Sequence, residues 1–419
     1  MPSKTIDHAF TARSLTGGAT DPTHAGALSF MRRKYTKNLK GADAVVWGIP
    51  FDAAVSNRPG ARFGPQAIRR ASAIMDNDPQ YPFQRDLFEH LAVIDYGDCL
   101  LDYGNHQKTP ATIEREAAKI IKTGAFLVTL GGDHFVTWPL LKAHAAKHGK
   151  LALIQFDAHQ DTWYDDGKRI DHGSFVGRAV RDGVIDPAHS IQIGIRTHAP
   201  EDCGIEMIYG EEVENMKAVK IADAIYKRVG DMPCYVTFDI DCLDPAYAPG
   251  TGTPVAGGPS SAKMLSVLHK LINLDIRGAD IVEVAPAYDY ADITAIAGAA
   301  VAQHLRQFIS AAAHGSPERM GIHGDGAIGC VENPGTGEEI FELLEIAVRA
   351  RIIEARFQHR HRLSRQPASQ SMPDDEPEFA EIMGRVALRF GEADGDGQTI
   401  VTVVRDRVDV LAGEIVEAD

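Results

Sequence analysis

Short apolar runs closed by glycine or acidic residues recur along the chain from residue 44 to residue 284. Residues 44–50, 91–98, 125–130, 151–155, 191–196, 235–241 and 278–284 each read as a strand. These runs are almost continuously apolar rather than alternating, the mark of strands buried on both faces, as in a parallel sheet. Helical periodicity occupies residues 112–122, 138–148, 219–229, 261–274 and 293–313. Another helix follows the glycine-rich stretch that starts at residue 57, with Pro65 marking its first turn. Strands alternating with helices predict βαβ units, and so an α/β fold with a mainly parallel sheet and helices on both faces.

Outside that alternation the texture changes. Residues 1–40 are polar and broken by glycine, and read as an N-terminal arm over the surface or a neighbouring subunit. Residues 41–313 carry the α/β pattern, and residues 314–419 form a C-terminal extension expected to be non-catalytic. Within the extension, residues 338–358 have helical periodicity, 363–377 form a polar, proline-containing linker, 378–390 a short helix and 399–411 a strand.

Composition narrows the functional classes. The chain has 43 basic and 58 acidic residues, a net charge of −15, which argues against a nucleic-acid partner and fits solubility or cationic ligands. The five cysteines, Cys99, Cys203, Cys234, Cys242 and Cys330, form no C-x-x-C pair, so a reduced cytosolic setting is expected. The N-terminal segment lacks a basic stretch followed by an apolar one, and no apolar run is long enough to span a bilayer. The expectation is a soluble, cytoplasmic protein with no membrane partner.

Candidate chemistry gathers where strands end, the place where ligands bind in such sheets. His134 follows Gly131, Gly132 and Asp133; Asp157, His159 and Asp161 follow the run at 151–155; Asp239 and Asp241 close another, and Glu283 lies near the end of a fourth. Residues two apart in an extended chain point to the same side, so Asp157, His159 and Asp161 are expected to face one point from a strand tip. Any one of these alone is more often a capped loop residue than a ligand. Together, Asp157, Asp161, Asp239 and Asp241 put four negative charges in one crevice, which is costly to bury unless cations intervene. Two divalent cations balance that charge, and carboxylate-rich ligation with only two imidazoles favours Mn²⁺ over structural zinc. A pair of cations sharing one water lowers its pKa from about 15.7 toward neutrality, which is hydrolytic equipment. No Gly-x-Ser-x-Gly elbow is present, and the glycine-rich run from Gly250 lacks a Walker lysine.

Gly131-Gly-Asp-His, Phe156-Asp-Ala-His-Gln-Asp and the segment 237–254 resemble the three signature segments of the ureohydrolase (arginase/agmatinase) family. Residues 282–289 and Asp171-His-Gly-Ser are similar to the agmatinase branch in particular, and the likeness covers residues 40–312. The resemblance implies a three-layer α/β fold, two Mn²⁺ ions per subunit and a small cationic guanidino substrate. Agmatine would be hydrolysed to putrescine and urea, with a guanidino acid such as 4-guanidinobutyrate as the alternative substrate. By that likeness His134, Asp157, Asp161 and Asp239 hold one ion, while Asp157, His159, Asp239 and Asp241 hold the other. His172 matches the family's proton shuttle to the leaving amine, and Glu283 the carboxylate that holds the guanidinium. The family also implies a homo-oligomer, a trimer or hexamer. Gln160 and Trp163 depart from the Thr and Tyr common in agmatinases. Two other readings are a catalytically silent subunit of the same fold, which would have no need of His172, and a single-zinc deacetylase, which Asp239, Asp241 and His134 oppose.

Overall fold

The apolar runs pair into one sheet of nine strands: β1 (Lys34–Tyr35), β2 (Ala44–Gly48), β3 (Val93–Asp98), β4 (Phe126–Leu130), β5 (Ala152–Phe156), β6 (Ile191–Ile195), β7 (Glu206–Tyr209), β8 (Cys234–Asp239) and β9 (Ile276–Val282). The computed structural model describes residues 6–19, 21–75, 87–305, 386–390 and 401–405. The strands lie in the order β1-β3-β2-β4-β9-β8-β5-β6-β7, and every pairing among them is parallel.

Both faces of the sheet are buried, which is why its strands do not alternate in polarity. Ile154 and Phe156 of β5 join Val236 and Phe238 of β8 in one apolar layer, covered by the helices Ala218–Val229, Ser261–His269 and Ile293–Leu305. Leu153 and Tyr235, next to them in the chain, face the other layer with the helices Thr109–Lys122, Thr137–His148 and Phe175–Arg181. Each fully buried Ile or Phe side chain contributes about 1.5–3 kcal/mol. The result is three layers, helix on sheet on helix.

Register sets the position of the site. Phe156 lies opposite Phe238, Phe238 opposite Ile281, and Leu130 opposite Ile281. The carboxyl ends of β4, β9, β8 and β5 are therefore level, and the residues just beyond them share one rim.

Within the segment read as an arm, Lys34–Tyr35 pairs with Ile94 and Asp95 of β3, and Phe30, Met31, Arg32 and Arg33 are buried. Arg33 stacks 3.9 Å from the ring centre of Phe88. Other elements also escape the sequence pattern. β7 buries only Ile208 and offers no apolar run, and the helix Phe175–Arg181 is too short to display a period. The helix expected over 261–274 stops at His269.

The chain divides into two units, Met1–Ala313 and His314–Asp419. In the second, β10 (Val386–Phe390) pairs antiparallel with β11 (Val401–Arg405). The strand expected at 399–411 thus appears at 401–405, whereas residues 386–390, expected to be helical, are a strand. Val386, Leu388 and Phe390 alternate with Ala387 and Arg389, a period of two that outweighs a short helical reading. The helix expected at 338–358 and the linker at 363–377 lie outside the described residues.

Candidate metal centre

Beyond β4 the chain turns through Gly131 and Gly132 and starts the helix carrying His134. A Cβ at Gly132 would lie 1.7 Å from the carbonyl oxygen of Phe51, a backbone atom with no freedom to yield. Asp133 caps the turn by accepting from the Phe135 amide at 3.2 Å and from the Ala54 amide at 2.8 Å. Gly132→Ala should therefore destabilise the fold by about 3 kcal/mol, as overpacking against backbone does. A denaturant midpoint equal to that of the parent would refute this account of the turn.

β5 ends at Phe156, so Asp157, His159 and Asp161 do not project from a strand tip as the alternating pattern predicts. They meet because the chain folds back on itself. Asp157 Oδ1 accepts the His159 amide at 2.6 Å, and Asp161 sits in the left-handed region at φ 52°. Glu283 is in the same region at φ 64°. Such backbone is costly for residues other than glycine and persists where the surroundings impose it, often at functional sites.

Asp239 is the last residue of β8, and its Oδ1 accepts the Asp241 amide at 2.8 Å. Arg196 fastens the next turn by donating to the carbonyls of Asp241 at 2.7 Å, Cys242 at 3.0 Å and Val255 at 2.9 Å.

The donors then converge. His134 Nδ1 lies 3.0 Å from Asp157 Oδ2, 3.1 Å from Asp161 Oδ2 and 3.1 Å from Asp239 Oδ2. His159 Nδ1 lies 3.1 Å from Asp241 Oδ2 and 3.5 Å from Asp157 Oδ1. Two groups of potential metal donors result among the described residues: His134, Asp157 and Asp239 form one, and Asp157, His159 and Asp241 the other. Asp157 belongs to both and Asp239 to the first alone, while Asp161 adjoins the first through its approach to His134.

The charge balance of this cluster calls for cations. Burial, then the charge of Asp157, pushes Asp161 up to about 6, and burial with Asp241 and Asp157 raises Asp239 well above the carboxylate range. Burial lowers the pKa of His159, yet Asp241 and Asp157 outweigh it and raise it to about 12. Buried His134 Nδ1 faces three carboxylates without making a hydrogen bond. Oxygen and imidazole donors aimed at common points fit divalent cations.

Beside the donors, His172 Nδ1 donates to Glu283 Oε1 at 2.9 Å, and the Ser56 amide donates to His172 Nε2 at 3.1 Å. Burial opposes charging of His172, but Glu283 dominates and raises its pKa to about 9. Glu283 Oε1 also accepts the His134 amide at 2.8 Å. Its other oxygen, Oε2, is buried and has no hydrogen-bond partner. Gly252 flanks it, a Cβ there standing 3.3 Å from Oε2. Asn57 tethers the glycine-rich loop to this wall through the Gly252 carbonyl at 3.0 Å.

Gln160 faces away from the donors: its side chain accepts the Ala199 amide at 2.5 Å and donates to Met207 Sδ at 3.2 Å. Trp163 is 53 % exposed and is tied to the Gly173 carbonyl at 3.0 Å. Ser56, Arg196, Thr237 and Asp280 also serve the site but were not singled out from the sequence. Asp280 alone left a signal there, as an acid inside an apolar run. Among the described residues, Cys99, Cys203, Cys234 and Cys242 are free thiols, and no helix is long and apolar enough to cross a membrane.

Comparison with known proteins agrees with this geometry. The profile of the Arginase family matches residues 42–306. An agmatinase of Chromobacterium violaceum is 49% identical over 298 residues, which is 71% of this chain and 92% of that protein. A crystal structure described as a hypothetical agmatinase from Burkholderia thailandensis superposes with a TM-score of 0.73 at 48% identity, covering 74% of this chain and 99% of that one. Proclavaminate amidino hydrolase from Streptomyces clavuligerus follows at 0.65 and 36%, covering 70% and 100%. A three-layer fold whose level strand ends gather acids and histidines, matched by the family profile over residues 42–306, makes this chain a member of the arginase family of metal-dependent hydrolases.

Proposed function

We propose that this chain is an agmatinase that hydrolyses the guanidinium group of agmatine to putrescine and urea, with two Mn²⁺ ions held by His134, Asp157, His159, Asp161, Asp239 and Asp241. The observation that carries this reading is the bare, buried Oε2 of Glu283 beside the converging donors. Identities of 44–49% to agmatinases of several bacteria support it.

Bound divalent cations supply the Lewis acidity that makes water a nucleophile near neutral pH. The chain's own residues do the rest. Glu283 Oε2 accepts N–H groups of the guanidinium, a charge-assisted contact that its other oxygen, pinned by His134 and His172, keeps in place. That orients the guanidinium carbon toward the donor cluster. His172 holds one proton at Nδ1 against Glu283, and its Nε2 exchanges a proton with the departing amine, with the Ser56 hydroxyl at 2.8 Å alongside. In this reading residues 41–313 are the catalytic domain, residues 1–40 an N-terminal arm and residues 314–419 a non-catalytic extension. The protein works in the cytoplasm as a homo-oligomer, a trimer or hexamer by family likeness.

The test is urea release by Mn²⁺-loaded protein from agmatine, arginine, 4-guanidinobutyrate and 3-guanidinopropionate. Agmatine should give the highest kcat/KM. Preference for an acid would overturn the substrate, and no urea from any of them would overturn the activity.

A further inference from the structure

Asp280 lies within β9, fully buried, between Ala279 and Ile281, which face the opposite layer. Three hydroxyls surround its carboxylate. Tyr235 and Thr137 donate to Oδ2 at 2.9 Å each, and Thr237 donates to Oδ1 at 2.5 Å. A hydroxyl has one proton to give, and an ionised carboxylate has none. With its proton committed to Asp280, Thr237 can offer only lone pairs to its next neighbour, His134 Nε2, at 2.9 Å.

That leaves one arrangement for the neutral ring. Nε2 carries the proton and donates to Thr237, and Nδ1 is a lone pair. Nδ1 is the atom that faces Asp157, Asp161 and Asp239. If the Thr237 proton turned toward Nε2 instead, the ring proton would move to Nδ1 and point at those carboxylates, occupying the place a cation needs. In its neutral form His172 is held the other way: the Ser56 amide claims its Nε2 lone pair, so its proton lies at Nδ1. Two rings of one site are thus fixed as opposite tautomers by unlike neighbours.

We propose that Asp280 is a positioning residue which, through Thr237, fixes the ring tautomer of His134 and thereby keeps its Nδ1 open to a divalent cation. This rests on the metal-dependent reading above, but its test needs no substrate. In Asp280→Asn, of nearly equal shape, the side-chain amide can donate to Thr237 and turn the hydroxyl proton toward His134. Titration of the full-length, chelator-stripped protein with Mn²⁺ should show one of two binding events weakened about 10–100-fold, as loss of an outer partner does. The other event should be unchanged. Ring ¹⁵N shifts of His134 in the metal-free protein, assigned against His134→Gln and recorded at a pH high enough to leave the ring neutral despite the carboxylates around it, should change from the Nε2–H to the Nδ1–H pattern. Thr237→Val should weaken the same event, and Thr237→Ser should restore it. Parent-like affinity and an unchanged tautomer in Asp280→Asn would overturn the proposal, as would equal weakening of both events, which signals general loosening. If the parent binds Mn²⁺ but releases no urea from agmatine, only the proposed activity fails. If it releases urea while Asp280→Asn keeps its tautomer and affinity, only the role of Asp280 fails.

Discussion

Asp157→Ala is expected to remove both cations and to lower urea release by more than about 10³-fold, since loss of an outer partner alone costs 10–100-fold. Asp157 is the one residue common to the two donor groups. One of its oxygens faces His134 and the other faces His159. Burial alone would push its proton affinity up, but the two histidines outweigh burial and hold it below the usual carboxylate range, available to cations. Alanine leaves His134 with Asp161 and Asp239 and His159 with Asp241, but with nothing common to both groups. Elemental analysis beside the urea assay decides the matter. Two retained cations per chain would show that Asp157 is dispensable for binding. Asp161→Ala is the comparison, expected to weaken one cation alone, because Asp161 adjoins only the group of His134.

Glu283→Gln should act on substrate while leaving the cations in place. The amide keeps the shape and can still accept from the His134 amide through one oxygen. It replaces the bare, buried Oε2, or its equivalent, with a group that repels guanidinium N–H. A charge-assisted hydrogen bond is worth about 1.5–3 kcal/mol, so losing two lowers kcat/KM by about 10²–10⁴-fold. Parallel loss of metal would sink this assignment, because Glu283 would then be a brace for the turn of His134, which it also contacts at 2.8 Å.

The uneven legibility of the sequence has physical causes. The sheet centre was readable because strands buried on both faces leave continuous apolar runs, as in β5 and β8. The edge strands β1 and β7 were not, since Lys34–Tyr35 has no buried residue and β7 only one. Asp157, His159 and Asp161 were singled out by their spacing, yet the reason given for their convergence was wrong. The chain leaves the extended conformation after Phe156, and a left-handed Asp161 aims the last carboxylate. Partners such as Ser56 for His172 and Thr237 for His134 were invisible because each pair lies more than a hundred positions apart and only register brings it together. Gln160 stands out by its departure from family pattern, but its side chain serves Ala199 and Met207, so its influence runs through the loop after β6 and through β7.

The level ends of β4, β9, β8 and β5 also bear on how the molecule is made. His134 and Glu283 meet across 149 positions of chain, and His172 and Glu283 across 111. No fragment ending before β9 contains the complete rim. Closing loops of that length is slow, and parallel pairing over such separations comes late. A growing chain can bring Asp157, His159 and Asp241 together from β5 and β8, but keeps His134 apart from Asp157 and Asp239 until the last central strand slots between β4 and β8. The arrival of that strand completes the group of His134, and makes capture of its cation a sign that the sheet is complete.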